Sequence, residues 1–342
     1  MYDTVTKSGP LPSQVTFDVL LTTVAVAYLQ DLERYSTRAV FPVVEVKLQS
    51  GKYDVYERGA FYRDEVKERP RGGRFPVTGF SQSKEDYTTT EEGLSTFIDD
   101  QDRANSTNPD RLERMKIRLL TQQIHTHYER GWAGKYFRAG VWIKDKLGVA
   151  AGPGAGQVLQ FDQAGVDLPS FVRRERDDFE LGNGGFPANC MVVGKAVHRA
   201  ITGNAEIKDL IKHTQIGVPT VELLKALFGV DHYIVPGAIW NSAAEGLPEK
   251  LERIVGERGM LLCHRTAEVS EATALAPTAG VTFAWTGLVP GGGLPNGTII
   301  PIHRYRDGNP YVENFDARTA FSQQTVSEDL GWFYQDIVSA AA

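Results

Sequence analysis

Cysteine is scarce in this chain: Cys190 and Cys263 are the two that occur among 342 residues. They lie far apart in sequence and form no CxxC pair, so neither a disulfide framework nor a structural zinc site is expected. A chain of this length buries about three quarters of its extended surface and folds without such staples. The cysteine content is typical of a protein that folds in a reducing cytoplasm.

Long uncharged apolar runs are also missing. No stretch approaches the roughly 18 residues that a membrane-spanning helix needs, and residues 1–12 lack the basic segment, apolar run and small-residue cleavage site of a signal peptide. We therefore expect a protein that is neither exported by a signal peptide nor inserted in a membrane.

Positive charge is in deficit, because 37 Lys and Arg residues face 43 Asp and Glu residues and leave a formal net charge of -6. Proteins that recognise specific nucleic-acid sequences normally carry a basic face. The charge balance therefore argues against that class.

Motifs for catalysis or cofactor binding are absent as well. Gly152–Gly156 lacks the Lys-Ser/Thr pair of a phosphate-binding loop. His125 and Glu129 share a helix face, but the sequence suggests no third metal ligand, so a packing role is favoured. Cys263 and its neighbour His264 point to opposite faces of an extended segment, which favours a buried cysteine over a thiol nucleophile. We expect no catalytic, cofactor-binding or metal site, and a soluble α/β enzyme using Cys263 is kept as a remote alternative.

The strongest secondary-structure signal is a helix that begins after Ser106. Polar residues precede Pro109, which suits the first helical position. Apolar residues then recur at spacings of three and four in two rows, Leu112, Met115 and Leu119, and Ile117, Leu120, Ile124 and Tyr128. Charged residues between the rows are expected to keep one face in water: Arg111, Glu113, Arg114, Lys116 and Arg118. The pattern predicts a helix from Pro109 to Arg130, about 33 Å long, and Gly131 and Gly134 disfavour its continuation.

Strand-like and helical segments occur on both sides of this helix. Predicted strands cover residues 41–48, 53–57, 189–194, 232–236, 298–305 and 311–321, and predicted helices cover 195–202, 204–212 and 218–228. This mixture predicts a mixed α/β (α+β) fold. Gly148–Gly156 is predicted to be a flexible break between domains.

A charged stretch stands between the first strands and the long helix. Residues 51–80 carry seven Lys or Arg and five Asp or Glu, with too few apolar residues for a separate core. We predict a two-stranded ribbon with a Pro/Gly/Arg tip, which is marginal alone in water and needs a neighbour to lie on. Its basic residues form the predicted subunit interface: Arg58, Arg63, Lys67, Arg69, Arg71 and Arg74. Arginine suits pairing with acidic groups such as Asp99, Asp100 and Asp102, and phosphate binding is the competing use.

The order of these features resembles the major capsid proteins of tailed bacteriophages, whose fold is named after the phage Hong Kong 97. The local matches are Phe61–Lys67, His213–Gly229, Phe283–Gly287 and Asp329–Trp332. The resemblance covers nearly the whole chain. It implies an N-terminal arm (1–45), an extended β-ribbon loop (46–95), a peripheral domain with a long spine helix (96–147), an axial domain (148–287) and return strands of the peripheral domain (288–342).

The resemblance further implies a structural protein and not an enzyme. Such a protein assembles as hexamers and pentamers into an icosahedral shell around double-stranded DNA, in the host cytoplasm, and ends in the virion. The implied partners are other copies of the chain, a separate scaffolding protein, a portal, a decoration protein and DNA bound without specificity, with no membrane and no cofactor. A net charge of -6 suits a container for packed DNA, because a basic wall would hold the phosphates. The alternative is an encapsulin-like protein nanocompartment of the same fold.

Overall fold

The computed structural model of the chain describes residues 16–17, 34–56, 58–69, 71–106, 109–212, 219–266, 277–289, 300–308 and 311–340. Most of the predicted N-terminal arm lies outside the described residues. Residues 213–218, which begin the predicted motif His213–Gly229 of the axial domain, also lie outside them. All statements below concern the described ranges.

The helices of the described chain are α1 (Thr37–Val40), α2 (Arg58–Phe61), α3 (Asp100–Asn105), α4 (Pro109–Tyr136), α5 (Leu168–Gly182), α6 (Lys195–Gly203), α7 (Ala205–Ile211) and α8 (Val221–Phe228). Several begin with side-chain caps: Asp99, Asp167, Asn204 and Thr220 each accept a hydrogen bond from a backbone N–H of the first turn. The predicted helices at 195–202, 204–212 and 218–228 correspond to α6, α7 and α8.

The helix α4 is longer than the predicted spine helix. It has 28 residues, about 42 Å at 1.5 Å per residue, and continues through Gly131 and Gly134. Trp132 directly follows Gly131, and Tyr136 lies two residues after Gly134. Both are buried with other aromatic side chains. This packing outweighs the roughly 1 kcal/mol that each glycine costs in a helix.

The two apolar rows of α4 differ in how deeply they are buried. Ile117, Leu120, Ile124 and Tyr128 are all buried against the first β-sheet. Met115 and Leu119 are 55 % and 51 % exposed. Glu113 was expected to face water, but it is buried beside Arg103 and Arg304, with an oxygen–nitrogen distance of 3.4 Å to each. Both arginines also pair with Glu313, so the carboxylates are compensated within the subunit.

The strands of the described chain are β1 (Thr16–Phe17), β2 (Val43–Val46), β3 (Ser50–Tyr56), β4 (Gln82–Thr88), β5 (Thr90–Asp99), β6 (Lys144–Val149), β7 (Gln157–Leu159), β8 (Cys190–Val193), β9 (His232–Ile234), β10 (Ile239–Asn241), β11 (Leu251–Arg253), β12 (Met260–Cys263), β13 (Gly280–Trp285), β14 (Ile302–Gly308), β15 (Tyr311–Thr325) and β16 (Gly331–Gln335). They form two six-stranded sheets and two separate two-stranded ribbons, β3–β4 and β10–β11.

The first sheet has the order β1-β14-β15-β13-β2, with β5 also paired to β15. The helix α4 covers one face of it, where Phe315 and Ala317 of β15 meet the buried row of the helix. Tyr128 also donates a hydrogen bond to the hydroxyl of Thr282 at 2.8 Å. The helix α4 and the first sheet thus share one hydrophobic core.

The second sheet has the order β7-β6-β16-β12-β8-β9 and contains both parallel and antiparallel pairs. Helices α5 to α8 cover one face with Phe179, Val197 and Leu224. The end of α4 covers the other face, where Trp132 and Phe137 lie in one cluster with strand residues. The spine helix therefore packs against both sheets.

Strand pairing crosses the segment boundaries that the resemblance implies. Gly280–Trp285, placed by the resemblance in the axial segment, pairs in the first sheet. Gly331–Gln335, placed among the return strands, lies between β6 and β12 in the second sheet. Gly148 and Gly156, predicted to lie in a flexible break, flank a loop of the second sheet: Gly148 is within β6 and Gly156 immediately precedes β7. Among the described residues, no helix combines the length and apolar character needed to cross a membrane.

Candidate assembly surface

The charged ribbon predicted between residues 46 and 95 is present, with β3 and β4 paired from Ser50 opposite Thr88 to Tyr56 opposite Gln82. Its base packs on the first sheet, because the rings of Tyr53 and Tyr87 lie 5.6 Å and 4.4 Å from the ring of Phe283. Beyond the paired strands, the short helix α2 is followed by residues 62–69 and 71–81, which have no regular secondary structure. We call residues 58–81 the loop tip.

The six basic residues of the predicted interface all lie in the loop tip, but they divide into two groups. Arg58 faces the body of the subunit, where its Nη1 atom is 3.3 Å from a carboxylate oxygen of Asp329. The other five are exposed: Arg63, Lys67, Arg69, Arg71 and Arg74. The guanidinium of Arg69 lies over the ring of Phe75 at 5.1 Å. Five cations are therefore presented to solvent in one segment.

Large apolar side chains of the loop tip are exposed as well, although they were not among the predicted interface residues. They are Phe61, Tyr62, Val66, Phe75, Val77 and Phe80, each between 56 % and 96 % exposed. Phe61 and Phe80 stack on each other with ring centroids 5.5 Å apart. Such a concentration of exposed apolar groups is unusual on an isolated protein and is typical of interaction sites. The sequence signal for this surface was the presence of three phenylalanines, Phe61, Phe75 and Phe80, among the charged residues. A charged loop that stays fully solvated does not require large apolar side chains.

A hydrogen bond connects the loop tip to the second sheet's helical layer. The hydroxyl of Tyr62 donates to the carbonyl oxygen of Gly184 at 2.5 Å. Gly184 has a φ of +74°, a conformation that glycine adopts without strain, and a Cβ atom there would lie 2.5 Å from the Tyr62 hydroxyl. With the contact between Arg58 and Asp329, this bond sets the direction in which the loop leaves the subunit.

The acidic residues proposed as partners of the loop are partly engaged within the subunit. Asp99 accepts a hydrogen bond from the backbone N–H of Gln101 at the start of α3. Asp100 pairs with Arg306, and Asp102 is exposed. Asp102 is thus the member of this group most accessible to solvent.

The residues considered for catalysis have structural surroundings. Glu129 does not pair with His125; it accepts hydrogen bonds from Ser36 and Thr37 instead. Cys263 lies directly opposite Cys190 on the neighbouring antiparallel strand, and both are fully buried and free. The hydrogen bond to Cys190 and burial raise the pKa of the Cys263 thiol, which disfavours the thiolate that a nucleophile requires. Among the described residues, no group of three or more His, Cys, Asp or Glu is arranged to hold a metal ion.

Comparison with known proteins points to phage capsids. No family model matches the chain. The chain is 25 % identical over 237 residues to the major capsid protein of Burkholderia phage BcepMu, which covers 68 % of this chain and 72 % of that protein. A phage-related protein from Bordetella bronchiseptica RB50 superposes with a TM-score of 0.68 at 16 % identity, covering 94 % of this chain and 98 % of that one.

Two capsid structures agree with the chain over most of its length. The mature capsid of bacteriophage PhiM1 gives a TM-score of 0.52 at 12 % identity, covering 96 % of this chain and 90 % of that chain. The capsid of Cyanophage P-SCSP1u gives 0.53 at 9 % identity, covering 87 % of each. The subunit therefore has the phage capsid fold, and the predicted Hong Kong 97-like class is confirmed. In sequence it resembles the major capsid protein of a phage, as predicted.

Proposed function

We propose that this chain is a major capsid protein that assembles as hexamers and pentamers into an icosahedral shell around the double-stranded DNA of a tailed phage. The observation that carries the proposal is the loop tip. It exposes apolar side chains such as Val66 and Val77, 91 % and 96 % exposed, together with five cations. An isolated subunit gains nothing from this surface, whereas a neighbouring copy can bury it.

The capsid fold supports the same reading, because related folds at low sequence identity occur in capsid structures. Building hexamers and pentamers from one sequence requires small differences in how subunits meet. Residues 62–69 and 71–81, which have no regular secondary structure in a loop anchored by Tyr53 and Tyr87 at its base, supply such an adjustable contact.

The remaining features of the proposal follow from a shell that holds DNA. The net charge of -6 supports a container that binds the phosphates of DNA only weakly. We further propose that a scaffolding protein, a portal and a decoration protein act as partners, that assembly occurs in the host cytoplasm and that the protein resides in the virion. In a nanocompartment of the same fold the cargo would be protein. Genes for a terminase and a portal beside the gene for this chain distinguish the two cases.

Electron microscopy of the purified protein tests the proposal. The unaltered chain should form closed shells. A variant in which residues 63–74 are replaced by a short Gly/Ser linker keeps Arg58 and Tyr62 and their contacts. It should fold with an unchanged circular dichroism spectrum and remain unassembled.

The matched control is Leu181→Ser, which removes an exposed apolar side chain, 86 % exposed, on α5. It should assemble normally. Closed shells from the loop replacement would contradict the role of the loop, and failure of the unaltered chain to form particles both alone and together with the proposed scaffolding protein would contradict the capsid function itself.

A further inference from the structure

The loop tip is attached to the body of its own subunit where it begins. The hydroxyl of Tyr62 donates to the carbonyl oxygen of Gly184, and Arg58 pairs with Asp329. Gly184 follows the end of α5, and Asp329 precedes β16, so both partners belong to the second sheet and its helical layer. The base of the ribbon packs on the first sheet, which means that the loop is held at two separate places. We call the two contacts of the loop tip the loop latch.

The ring of Tyr62 occupies the space that a side chain at position 184 would take. A Cβ atom at Gly184 would lie 2.5 to 2.7 Å from the hydroxyl, Cζ and Cε2 atoms of Tyr62. The next residue, Gly185, has a similar backbone conformation, with a φ of +81° against +74° for Gly184. A Cβ atom at Gly185 meets nothing within 4 Å. The latch therefore depends on the missing side chain of Gly184 and not on that of its neighbour.

The returning arm of the loop tip meets the outgoing arm at the same place. Phe80 stacks on Phe61, and Phe61 immediately precedes Tyr62 in the chain. Residues 63–69 and 71–79, which lie between these two arms, include the five exposed cations and the exposed side chains of Val66 and Val77. The direction in which the subunit presents this surface therefore depends on a few contacts at its base.

The loop latch is weak enough to be opened by a single substitution. Tyr62 is 58 % exposed, and the side chains of Arg58 and Asp329 are 40 % and 34 % exposed, so water competes for both contacts. One exposed hydrogen bond and one exposed ion pair together favour the attached state by about tenfold to a hundredfold. Loss of one contact therefore raises the released state to a measurable population.

We propose that the loop latch holds the loop tip in one direction and thereby prepares it to bind a neighbouring copy of the chain. A tip that is already held in place avoids part of the entropic cost of ordering it when the neighbour binds. The residues beyond Tyr62 have no regular secondary structure and can still adjust to each neighbour. The preparation for binding rests on the proposed capsid function, whereas the latch itself is a property of the free subunit.

Pulsed electron paramagnetic resonance on unassembled subunits tests the latch. Spin labels are attached at Val77→Cys in the loop tip and at Leu181→Cys on α5, where the native side chains are 96 % and 86 % exposed. The two native cysteines are fully buried and should remain unlabelled. Tyr62→Ala and Gly184→Ala should each broaden the distribution of distances between the labels. The first removes the ring, and the second places a Cβ atom where the ring lies.

Gly185→Ala is the matched control, because it imposes the strain of a positive φ on an alanine beside the latch without touching Tyr62. It should leave the distance distribution unchanged. Tyr62→Ala combined with Gly184→Ala should give a distribution no broader than that of Tyr62→Ala alone, since the added methyl group then has no ring to displace. Identical distributions in the unaltered chain, Tyr62→Ala and Gly184→Ala would overturn the latch.

Light scattering over time tests the preparation for binding by comparing shell formation in Gly184→Ala and Gly185→Ala. If the attached fraction falls from about nine-tenths to about one-tenth, Gly184→Ala should bind its neighbours about tenfold more weakly and assemble correspondingly more slowly. Equal assembly of the two variants, with distances broadened in Gly184→Ala, would overturn this part of the proposal. Failure of the unaltered chain to assemble would instead contradict the capsid function, and the distance measurements would still decide whether the latch exists.

Discussion

The carboxylate of Glu129 accepts two hydrogen bonds from Thr37, one from the backbone nitrogen at 2.9 Å and one from the hydroxyl at 2.5 Å. Ser36 makes the same pair of bonds to the other carboxylate oxygen, at 2.8 Å and 2.5 Å. Glu129 is fully buried in the spine helix, so it joins that helix to the start of α1, 92 residues earlier in the chain.

Replacement of this carboxylate should be costly. In Glu129→Gln, the side-chain NH2 group faces the backbone N–H and the hydroxyl of either Ser36 or Thr37. Those two donors are then left without an acceptor. We expect the free energy of unfolding to fall by about 3 kcal/mol, since hydrogen bonds to a charged acceptor are among the strong ones. Urea denaturation measures it. Glu222→Gln, at an exposed carboxylate on α8, should change stability by less than about 0.5 kcal/mol, and equal losses in the two variants would contradict this role of Glu129.

Gly331, within the Asp329–Trp332 motif, is required by the packing of Trp142. A Cβ atom at Gly331 would lie 2.0 Å from Cε3 of Trp142, a ring held by its bond to the carbonyl of Tyr136 at 2.8 Å. Gly331→Ala should therefore lower the unfolding free energy by about 3 kcal/mol through overpacking.

Gly134→Ala is the matched substitution with the opposite expectation. Gly134 lies inside α4, and a Cβ atom there meets nothing within 4 Å. This variant should gain about 0.5–1 kcal/mol from helix propensity. Thermal unfolding of both variants compares them, and a tolerated alanine at position 331 would show that Trp142 can move.

Local signals account for the elements that the sequence predicted well. The polar residues that precede Pro109 in the sequence, together with the row from Ile117 to Tyr128, predicted the spine helix and its buried side. The run 189–194 predicted a buried strand, and the strand found there, Cys190–Val193, has all four residues buried. In these segments the local sequence is enough to predict the element, because the residues that are apolar in the sequence pattern are also the residues that are buried in the structure.

Long-range pairing accounts for what the sequence did not predict. Trp332 lies opposite Lys144 and Leu262 in the second sheet, and no periodicity near position 332 indicates these partners. The candidate assembly surface was predicted by its charges alone. Its apolar members, such as Phe75 and Val77, were missed because sequence counts of apolar residues do not tell burial from exposure.

The ion pair between Lys146 and Glu175 is buried in the second sheet's helical layer. The lysine nitrogen is 2.6 Å from one carboxylate oxygen, and Tyr334 donates a hydrogen bond to the other at 2.7 Å. Lys146→Met should cost about 3–5 kcal/mol, because it leaves an uncompensated buried carboxylate. Adding Glu175→Gln should recover most of this loss while keeping an acceptor for Tyr334. A double-mutant cycle in urea measures the coupling, and additive losses would contradict it.

The two chemical classes in the loop tip should contribute differently to assembly. Neutralising the five exposed cations, as in Arg63→Gln, Lys67→Gln, Arg69→Gln, Arg71→Gln and Arg74→Gln together, should slow shell formation at low salt. The difference from the unaltered chain should shrink above about 0.5 M salt, where charges are screened over a few ångströms. Light scattering over time measures assembly.

Replacing apolar side chains should act at every salt concentration. Val66→Ser with Val77→Ser removes two of the most exposed apolar groups of the loop tip and should reduce assembly at low and high salt alike, since apolar burial does not rely on charge. An apolar variant that assembles normally at all salt concentrations would assign the contact to the cations alone.

His125 should make the subunit less stable in mild acid. Burial, and next the positive charge of Arg38, lower the pKa of its imidazole from 6.5 to about 4 in the folded chain. Its Nε2 atom has no hydrogen-bond partner among the described residues. Between these two pKa values the unfolded chain binds a proton that the folded chain does not, so stability rises with pH across this window and falls as pH is lowered through it. The loss from pH 7.5 to 4.5 should reach roughly 2.5 kcal/mol from this group. Urea denaturation at both pH values measures this loss, and in His125→Leu the difference between the two pH values should be smaller by that amount. The control is His127→Gln, which alters an exposed ring two residues away and leaves His125 in place. It should keep the full pH dependence that His125 contributes. A pH dependence unchanged in His125→Leu would mean that the buried ring is not what makes the subunit sensitive to acid.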